Sequence, residues 1–164
     1  MEKCMVFRRL IWWLGARKRR AEEFTAQLER ERGRGSVLET APDGSWYISL
    51  GFMTPVELTN SPGWVMTLYN HDGRMCIARI VHKTRTKTIL LGDIVADIEN
   101  KGYGSIMLSS VIKLAKTLRI REIRGNLLDS DHFDKLEHFY KKHGFQVRFN
   151  PGGVSGDIVL DLSE

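Results

Sequence analysis

The feature that most constrains the fold of this 164-residue chain is an apolar segment followed by a glycine-bearing loop and a helix. The segment Thr88–Val95 reads TILLGDIV, and such a nearly continuous apolar run is typical of a strand buried on both faces of a sheet. The loop Asp97–Ser105 follows, and the residues after it recur at helical spacing: Ile106, Leu108, Ser109, Val111, Ile112, Leu114, Ala115 and Leu118. A strand, a loop and a helix in this order predict an α/β unit.

The loop carries two glycines, Gly102 and Gly104, immediately before the predicted helix. Backbone N–H groups at the start of a helix lack partners within it, and the helix dipole adds partial positive charge there. Because glycine lets an anion approach the backbone closely, the segment predicts a phosphate or pyrophosphate site. A tight turn without a ligand fits the same residues. The loop is neither a Walker A motif nor a dinucleotide fingerprint, since Met107 occupies the third glycine position.

Alternating apolar residues and turn signals predict strands on both sides of this unit. His71-Asp-Gly73 predicts a hairpin turn, while acidic residues 129–134 open a second helix that Gly144 closes. The predicted strands are Ser45–Phe52, Trp64–Tyr69, Arg74–Val81, Glu122–Leu127, Phe145–Phe149 and Asp157–Leu162. Together with the buried strand and the two helices they predict a mixed α/β domain.

The net charge of +5 lies entirely in the first 34 residues, which hold ten basic and five acidic side chains. Residues 35–164 hold fifteen of each and are neutral. Because a nucleic-acid-binding domain carries positive charge on its folded surface, this distribution argues against nucleic acid as a partner of the domain. Binding of nucleic acid by the first 34 residues alone stays open, with a steep salt dependence as its expected sign.

Residues 1–35 are predicted to form a basic amphipathic helical arm, and residues 36–164 a single globular domain with its boundary at Gly33-Arg-Gly35. The arm's apolar residues follow the spacing of one helical stripe: Phe7, Leu10, Ile11 and Leu14. The longest apolar stretch, Leu10–Ala16, is far shorter than the roughly 20 residues that cross a bilayer. Trp12 and Trp13 among basic residues suit a helix at a membrane surface. A helix packed on its own domain or on a protein partner fits the same pattern.

Two cysteines, Cys4 and Cys76, are too few for a disulfide framework or a four-cysteine zinc site, so we expect a cytoplasmic protein. Peripheral membrane contact through the arm is compatible with that location. The histidines His132, His138 and His143 are six and five residues apart. No pair has the four-residue spacing of a metal-binding helix, and we therefore expect no metal site.

Two motifs in the correct order make residues 63–150 resemble the GNAT family of acetyl-CoA-dependent N-acetyltransferases. In that family a strand ends in a loop of pattern Arg/Gln-x-x-Gly-x-Gly/Ala whose amides bind the pyrophosphate of coenzyme A. Here the loop reads Glu99-Asn-Lys-Gly102-Tyr-Gly104, so an acidic residue replaces the first basic or polar one. The second motif is a Tyr followed by Gly-Phe, which here is Tyr140-Lys-Lys-His-Gly144-Phe145.

The resemblance implies a mostly antiparallel central sheet flanked by helices, with acetyl-CoA as the co-substrate. It implies a cofactor-binding loop formed by Asn100, Lys101, Gly102, Tyr103, Gly104 and Ser105. A backbone N–H at Ile94, Val95 or Ala96 is expected to polarise the thioester carbonyl where the strand separates from its neighbour. Tyr140 is expected to protonate the leaving thiolate, unless it is only a core aromatic residue.

Asp93 is the candidate base for the amine, because it lies on the strand that carries the carbonyl-binding backbone and shares a face with Asp97. An ordinary solvent-facing or hydrogen-bonded Asp93 is the alternative. The resulting hypothesis is an N-acetyltransferase that acts on a primary amine, either of a small molecule or of a protein, by direct attack in a ternary complex. The second hypothesis is a non-catalytic GNAT-fold module that binds acyl-CoA or a partner and is tethered by its arm. Pairing of two copies through C-terminal strands is a family expectation.

Overall fold

The computed structural model describes residues 2–53, 63–99, 101–128, 132–151 and 155–163, with the backbone alone at 2–15 and 53. Its elements are, in order, α1 (Glu2–Gly33), β1 (Val37–Thr40), β2 (Trp46–Met53), β3 (Gly63–Asn70), β4 (Gly73–Lys83), β5 (Thr88–Ala96), α2 (Tyr103–Thr117), β6 (Glu122–Leu127), α3 (Phe133–Lys142), β7 (Gln146–Phe149) and β8 (Gly156–Asp161).

The described strands form one eight-stranded sheet in the order β1-β2-β3-β4-β5-β6-β8-β7. Within these described ranges, neighbouring strands are antiparallel except for β5 and β6, which run parallel. A parallel pair needs a crossover connection, and α2 supplies it. The predicted mixed, mostly antiparallel sheet is confirmed. The short edge strand β1 was not predicted, because its sequence VLET is too brief to show alternation.

The core lies between α2 and one face of the sheet. Four residues of α2 are fully buried, and they are Met107, Leu108, Val111 and Ala115. They pack in one cluster with sheet residues such as Met66, Leu68 and Ile80, which are also inaccessible to solvent. Burial of this apolar surface is the main stabilising term of the domain.

The expectation that Thr88–Val95 is buried on both faces is wrong for the second half of the strand. Thr88, Ile89 and Leu91 are buried, whereas Gly92 is exposed and Val95 keeps 45% of its surface exposed. The difference arises because β6 covers only the first half of β5. The apolar run therefore ends in a surface that is open to solvent.

Helix α1 is a single helix of 32 residues. Its second half packs on Tyr47, and the next residue of β2, Ile48, faces the core with α2, so α1 lies on the opposite face of the sheet. The Phe24 ring lies 5.4 Å from that of Tyr47, Leu28 is 8% exposed, and Arg20 Nη1 lies 3.5 Å from Asp72 Oδ1. A turn after Gly33, with Gly35 at φ +69°, then leads into β1. The described helices include none that is both long enough and apolar enough to cross a membrane.

Helix α3 begins at Phe133 and has His132 at its N-cap position without a side-chain cap hydrogen bond. The expected acidic residues Asp129 and Asp131 lie outside the described residues, while Asp134 is in the first turn as predicted. The helix ends where predicted, because Gly144 adopts φ +87° directly after the C-cap. The Phe145 N–H then donates to the Tyr140 carbonyl at 3.1 Å, which closes the last turn.

Candidate functional site

Strands β5 and β6 pair only over Thr88–Leu91 and Glu122–Gly125 and then separate. Beyond this point β6 continues alongside β8, and β5 continues alongside β4. Among the described strands none pairs with the other edge of β5 from Gly92 to Ala96. The sheet therefore opens into a cleft at the carboxyl end of β5.

Two glycines lie where the strands separate. The register between β4 and β5 shifts at Gly92, which is an extra residue opposite Arg79 and Ile80 and forms a β-bulge. On β6, a Cβ at Gly125 would lie 2.8 Å from the Leu91 carbonyl oxygen. The absence of that Cβ lets β6 approach β5 up to the last paired residue. The bulge and this close approach together define where the cleft begins.

The backbone at the open edge of β5 can donate hydrogen bonds into this cleft. The Asp97 N–H donates to the Met75 carbonyl of β4 at 2.9 Å. Since N–H groups of successive residues in a strand point to opposite sides, those of Ala96 and Ile94 are directed away from β4. The predicted range Ile94 to Ala96 thus contains two residues whose N–H groups face the open edge, whereas that of Val95 faces β4.

The first turn of α2 lies next to this edge and has features of an anion-binding helix terminus. Its N-cap residue Gly102 has φ +78°, makes no side-chain cap hydrogen bond, and is followed by a first turn without an acidic residue. Gly104 and Ser105 are half-buried in that turn, while Lys101 is exposed just before it. The predicted loop residue Asn100 lies outside the described residues. The uncapped N–H groups are available to an anionic ligand.

Helix α3 approaches the start of α2 through Phe139. A Cβ placed on Gly104 would lie 3.6 Å from two Phe139 ring atoms and 4.0 Å from Ile94 Cγ2. Gly104 therefore lies between the ring of α3 and the side chain of β5. This contact brings α3, with the adjacent Tyr140, to the cleft.

Tyr140 is buried with 7% of its surface exposed, and its ring packs against Phe139 and Phe145 at centroid distances of 5.1 and 5.5 Å. Burial raises the pKa of its phenol to about 12, and the negative charge of Asp93 contributes to the increase. The charge of Asp93 therefore acts on the Tyr140 phenol, although the two predicted catalytic residues lie on different elements.

Asp93 forms an ion pair with Arg79, the residue opposite it on β4, with 2.5 Å between Arg79 Nη1 and Asp93 Oδ2. Nearly half of each side chain is exposed. Asp97, one residue beyond β5, forms a second, two-pronged pair with Arg74 at 3.1 and 3.2 Å. Both carboxylates therefore contact arginines of β4.

The structure brings together Ile94, Ala96 and Gly104 and places Tyr140 and Asp93 beside them. Sequence reasoning did not find Arg79, Phe139 or the bulge at Gly92. The glycine within TILLGDIV is the signal that indicates the bulge, since an isolated glycine in a strand often marks one. No local pattern indicates Arg79, because its partner is fourteen residues away on another strand.

The described side chains include no group of three or more His, Cys, Asp or Glu residues that could hold a metal ion. Asp129 and Asp131 are not among these side chains. His138 and His143 lie on α3 and at its C-cap, and burial lowers the pKa of His143.

Comparison with known proteins gives one related sequence and many similar folds. No protein-family model matches the chain. A Bacillus subtilis protein named uncharacterized protein YocC is 33% identical over 90 residues, which are 54% of this chain and 53% of YocC. The chain thus spans about half the length of this relative.

The solved structures that resemble the chain include several acetyltransferases. A Bacillus subtilis acetyltransferase in complex with CoA has a TM-score of 0.54 at 20% identity, covering 71% of this chain and 98% of that one. Campylobacter jejuni N-acetyltransferase PseH in complex with acetyl coenzyme A has 0.52 at 20%, covering 64% and 71%.

A GNAT family acetyltransferase from Elizabethkingia anophelis with acetyl-CoA bound has a TM-score of 0.52 at 15% identity, covering 70% of this chain and 98% of that one. These identities are low, so the likeness concerns the arrangement of the elements. It confirms the fold expected from the two motifs. With a sheet that opens after β5 and a helix that begins beside the opening, this chain has the fold of the GNAT acetyltransferases.

Proposed function

We propose that this chain is an N-acetyltransferase that moves the acetyl group of acetyl-CoA to a primary amine by direct attack in a ternary complex. The observation that carries the proposal is the cleft after β5. There the unpaired edge of β5, the uncapped start of α2 and the buried Tyr140 meet. Structural neighbours with CoA or acetyl-CoA bound support the same reading.

In this proposal the loop and first turn of α2 hold the pyrophosphate of the co-substrate. The N–H groups of Gly102–Ser105 donate to its oxygens, and the helix dipole favours its negative charge. Lys101 offsets the charge of Glu99, and both side chains are exposed. Asn100 is assigned to the same loop, at a position where the family pattern allows any residue.

The open edge of β5 is assigned to the thioester. N–H groups of Ile94 and Ala96 donate to the carbonyl oxygen and stabilise the negative charge that develops as the amine attacks. The N–H of Val95 takes part in pairing with β4, so its contribution is to keep the edge rigid. Fixed donors of this kind need no reorganisation during the reaction.

Two side chains are assigned to proton transfer. The attacking nitrogen must be neutral, and the Asp93 carboxylate accepts its proton directly or through water. The C–N bond forms, the C–S bond breaks, and the thiolate takes the phenolic proton of Tyr140, which is then replaced from solvent. The products are an amide and free CoA thiol. Arg79 fixes the carboxylate of Asp93 near the cleft.

A second candidate function is a non-catalytic module that binds acyl-CoA. Glu99 favours it, because an exposed acid stands in the loop position where the family has Arg or Gln. The two functions differ in one respect that can be measured, namely release of CoA thiol in the presence of an amine.

Calorimetric titration with acetyl-CoA, with ATP as a control, is the first test. Micromolar binding of acetyl-CoA and much weaker binding of ATP are expected, because ATP shares the phosphates but not the pantetheine arm and thioester. No binding of acetyl-CoA would overturn both candidate functions. Thiol release with a panel of primary amines then separates them, since the module binds acetyl-CoA but releases no thiol.

A further inference from the structure

The first half of α1 is strongly basic and is not used by the proposed reaction. Residues 1–20 hold seven Lys and Arg against one Glu, a net charge of +6. The same stretch contains the apolar stripe of the arm and the adjacent Trp12 and Trp13. The structure shows that this stretch from Glu2 on is helical and continuous with the half that packs on the sheet.

The direction of α1 follows from its contacts. Leu50 donates its N–H to the Ser36 carbonyl at 2.7 Å, so the chain just after α1 lies beside the middle of β2, at the edge of the sheet. Phe24 lies on Tyr47, near the start of β2, and Arg20 contacts Asp72 in the turn between β3 and β4. From its carboxyl end toward its amino end, α1 therefore runs along the strand direction, from the level of the middle of β2 to the end of the sheet that carries the β3–β4 turn. Residues 2–19 add about 27 Å of helix beyond the Asp72 contact.

The end of the sheet from which this helix projects is the end that carries the candidate site. The turn at Asp72 joins β3 to β4, and the register pairs Cys76 with Ala96, the last residue of β5. Arg74, two residues from Asp72, is paired with Asp97 in the loop that leads to Gly102. The basic helix and the cleft therefore lie at the same end of the molecule.

The chemistry of residues 1–20 favours a lipid surface over nucleic acid as the binding partner. Positive charge alone suits both nucleic acid and anionic lipid. The apolar stripe does not match a phosphate backbone, whereas at a bilayer it enters the boundary between headgroups and acyl chains. The two tryptophans next to it in sequence are of the residue type that is enriched at the level of the headgroups. A net charge of +6 complements the negative potential of an anionic leaflet.

We propose that the first half of α1 binds the surface of an anionic lipid bilayer and turns the cleft end of the sheet toward it. The domain then rests on the membrane through α1, with the β4–β5 turn at the far end. This proposal concerns docking and orientation, so it stands or falls separately from the acetyltransferase activity.

Sedimentation with vesicles tests the docking. The full chain is expected to bind vesicles of equal phosphatidylglycerol and phosphatidylcholine, and to be released at high salt or on pure phosphatidylcholine. Replacing Arg8 and Arg9 by Glu is expected to weaken binding by at least about tenfold. The matched control reverses Lys83 and Arg85, two exposed charges in the β4–β5 turn, and is expected to bind as before.

A second variant separates lipid from nucleic acid. Replacing Trp12 and Trp13 by Ser keeps every charge and is expected to weaken vesicle binding strongly. Vesicle binding that is unchanged in this variant, or lost only in the control at Lys83 and Arg85, overturns the proposal. Tight binding to duplex DNA together with no binding to the anionic vesicles overturns it as well.

Fluorescence quenching tests the orientation. With Cys4 replaced by Ser, a dye on His71→Cys reports the cleft end and a dye on Thr84→Cys reports the opposite turn, since Cys76 is buried. Vesicles with spin-labelled headgroups are expected to quench the dye at position 71 severalfold more than the dye at 84. Equal quenching, or stronger quenching at 84, contradicts the orientation even if binding is observed.

Discussion

The Asp93 carboxylate, on the open half of β5, lies close enough to the Tyr140 phenol, on α3, to raise the pKa of that phenol. Burial first, and this negative charge second, raise the pKa of the phenol to about 12. The phenol therefore carries its proton throughout the physiological pH range. A phenol in this state can donate a proton, which is the role proposed for Tyr140.

Replacement of Tyr140 by Phe tests that role. Turnover is expected to fall by roughly 10²- to 10⁴-fold, because the leaving thiolate loses its proton donor. Affinity for acetyl-CoA is expected to stay within a fewfold, since the phenol does not contact the pyrophosphate loop in the proposed complex. Stopped assays of thiol release and calorimetry on the same preparation check both numbers.

The control is Tyr69→Phe, which removes a hydroxyl from β3 beside Tyr47, at a residue with no role in the proposed reaction. It is expected to keep its turnover. Normal turnover in Tyr140→Phe would remove Tyr140 from the mechanism and leave it as a core aromatic residue.

Asp93→Asn is expected to lower the pKa of Tyr140. The carboxylate charge that disfavours the phenolate is removed, while burial remains, so the pKa falls from about 12 without returning to that of free tyrosine. Titration of phenolate absorbance, with Tyr140→Phe as the blank, follows the change. Asp97→Asn is the matched variant, and it is expected to leave this titration unchanged because Asp97 is paired with Arg74. An equal shift in both variants would contradict the specific coupling.

Gly104→Asp is expected to abolish acetyl-CoA binding. A Cβ at this position makes only ordinary contact with Phe139, at 3.6 Å, so the fold tolerates a side chain. The carboxylate, however, lies among the N–H groups that are assigned to the pyrophosphate and repels it. Gly33→Asp adds the same group where no atom lies within 4 Å, and it is expected to bind normally. Unchanged affinity in Gly104→Asp would exclude the loop as the phosphate site.

The sequence predicts those parts of the fold that depend on local patterns. The β6 strand and the end of α3 at Gly144 are found where alternation and a left-handed glycine indicate them. The early loss of burial along β5 could not be predicted, because it depends on how far β6 runs beside it. Gly125 lies in the last pair, where a Cβ would be 2.8 Å from the Leu91 carbonyl oxygen, but a one-dimensional pattern shows it only as a glycine in a strand.

The candidate site, like the fold, contains residues that the sequence predicts and residues that it does not. Gly102 and Gly104 could be predicted, since a loop that binds phosphate is continuous in sequence. Arg79 and Phe139 could not be predicted, because both come from distant parts of the sequence. Arg79 reaches the site through the pairing of β4 with β5, and Phe139 through the contact of α3 with Gly104. The pairing of Asp93 with Arg79 identifies the partner of this carboxylate, which the sequence alone could not name, while the side chain stays partly exposed.

Truncation of α1 separates its two halves. Deleting residues 1–15 is expected to leave the free energy of unfolding unchanged, because the contacts that Arg20, Phe24 and Leu28 make with the domain all remain. Deleting residues 1–34 removes Leu28 and Phe24 from the face that carries Tyr47, and it is expected to cost about 3 kcal/mol or more. Urea unfolding followed by circular dichroism measures both. Equal stability of the two truncated chains would show that the arm and the domain are independent.

Tyr47→Phe is expected to stabilise the protein. Tyr47 is fully buried, and its hydroxyl has no hydrogen-bond partner in the described part of the chain. Removing such a group relieves a desolvation cost of about 1 kcal/mol or more. Burial raises the pKa of this phenol to about 12, so between pH 10 and 12 the unfolded chain loses the proton while the folded chain keeps it. Stability therefore falls as the pH rises through this window.

In Tyr47→Phe that alkaline fall is expected to be shallower, and the free energy of unfolding at pH 7 higher, than in the parent chain. Tyr69→Phe, on the neighbouring ring 5.2 Å away, is the matched control, because its hydroxyl is not among the buried groups without a partner. Urea unfolding at pH 7 and at several pH values above 9 provides the comparison. A loss of stability at pH 7 in Tyr47→Phe would show that the hydroxyl has a partner, such as a bound water, that stabilises the contact between α1 and the sheet.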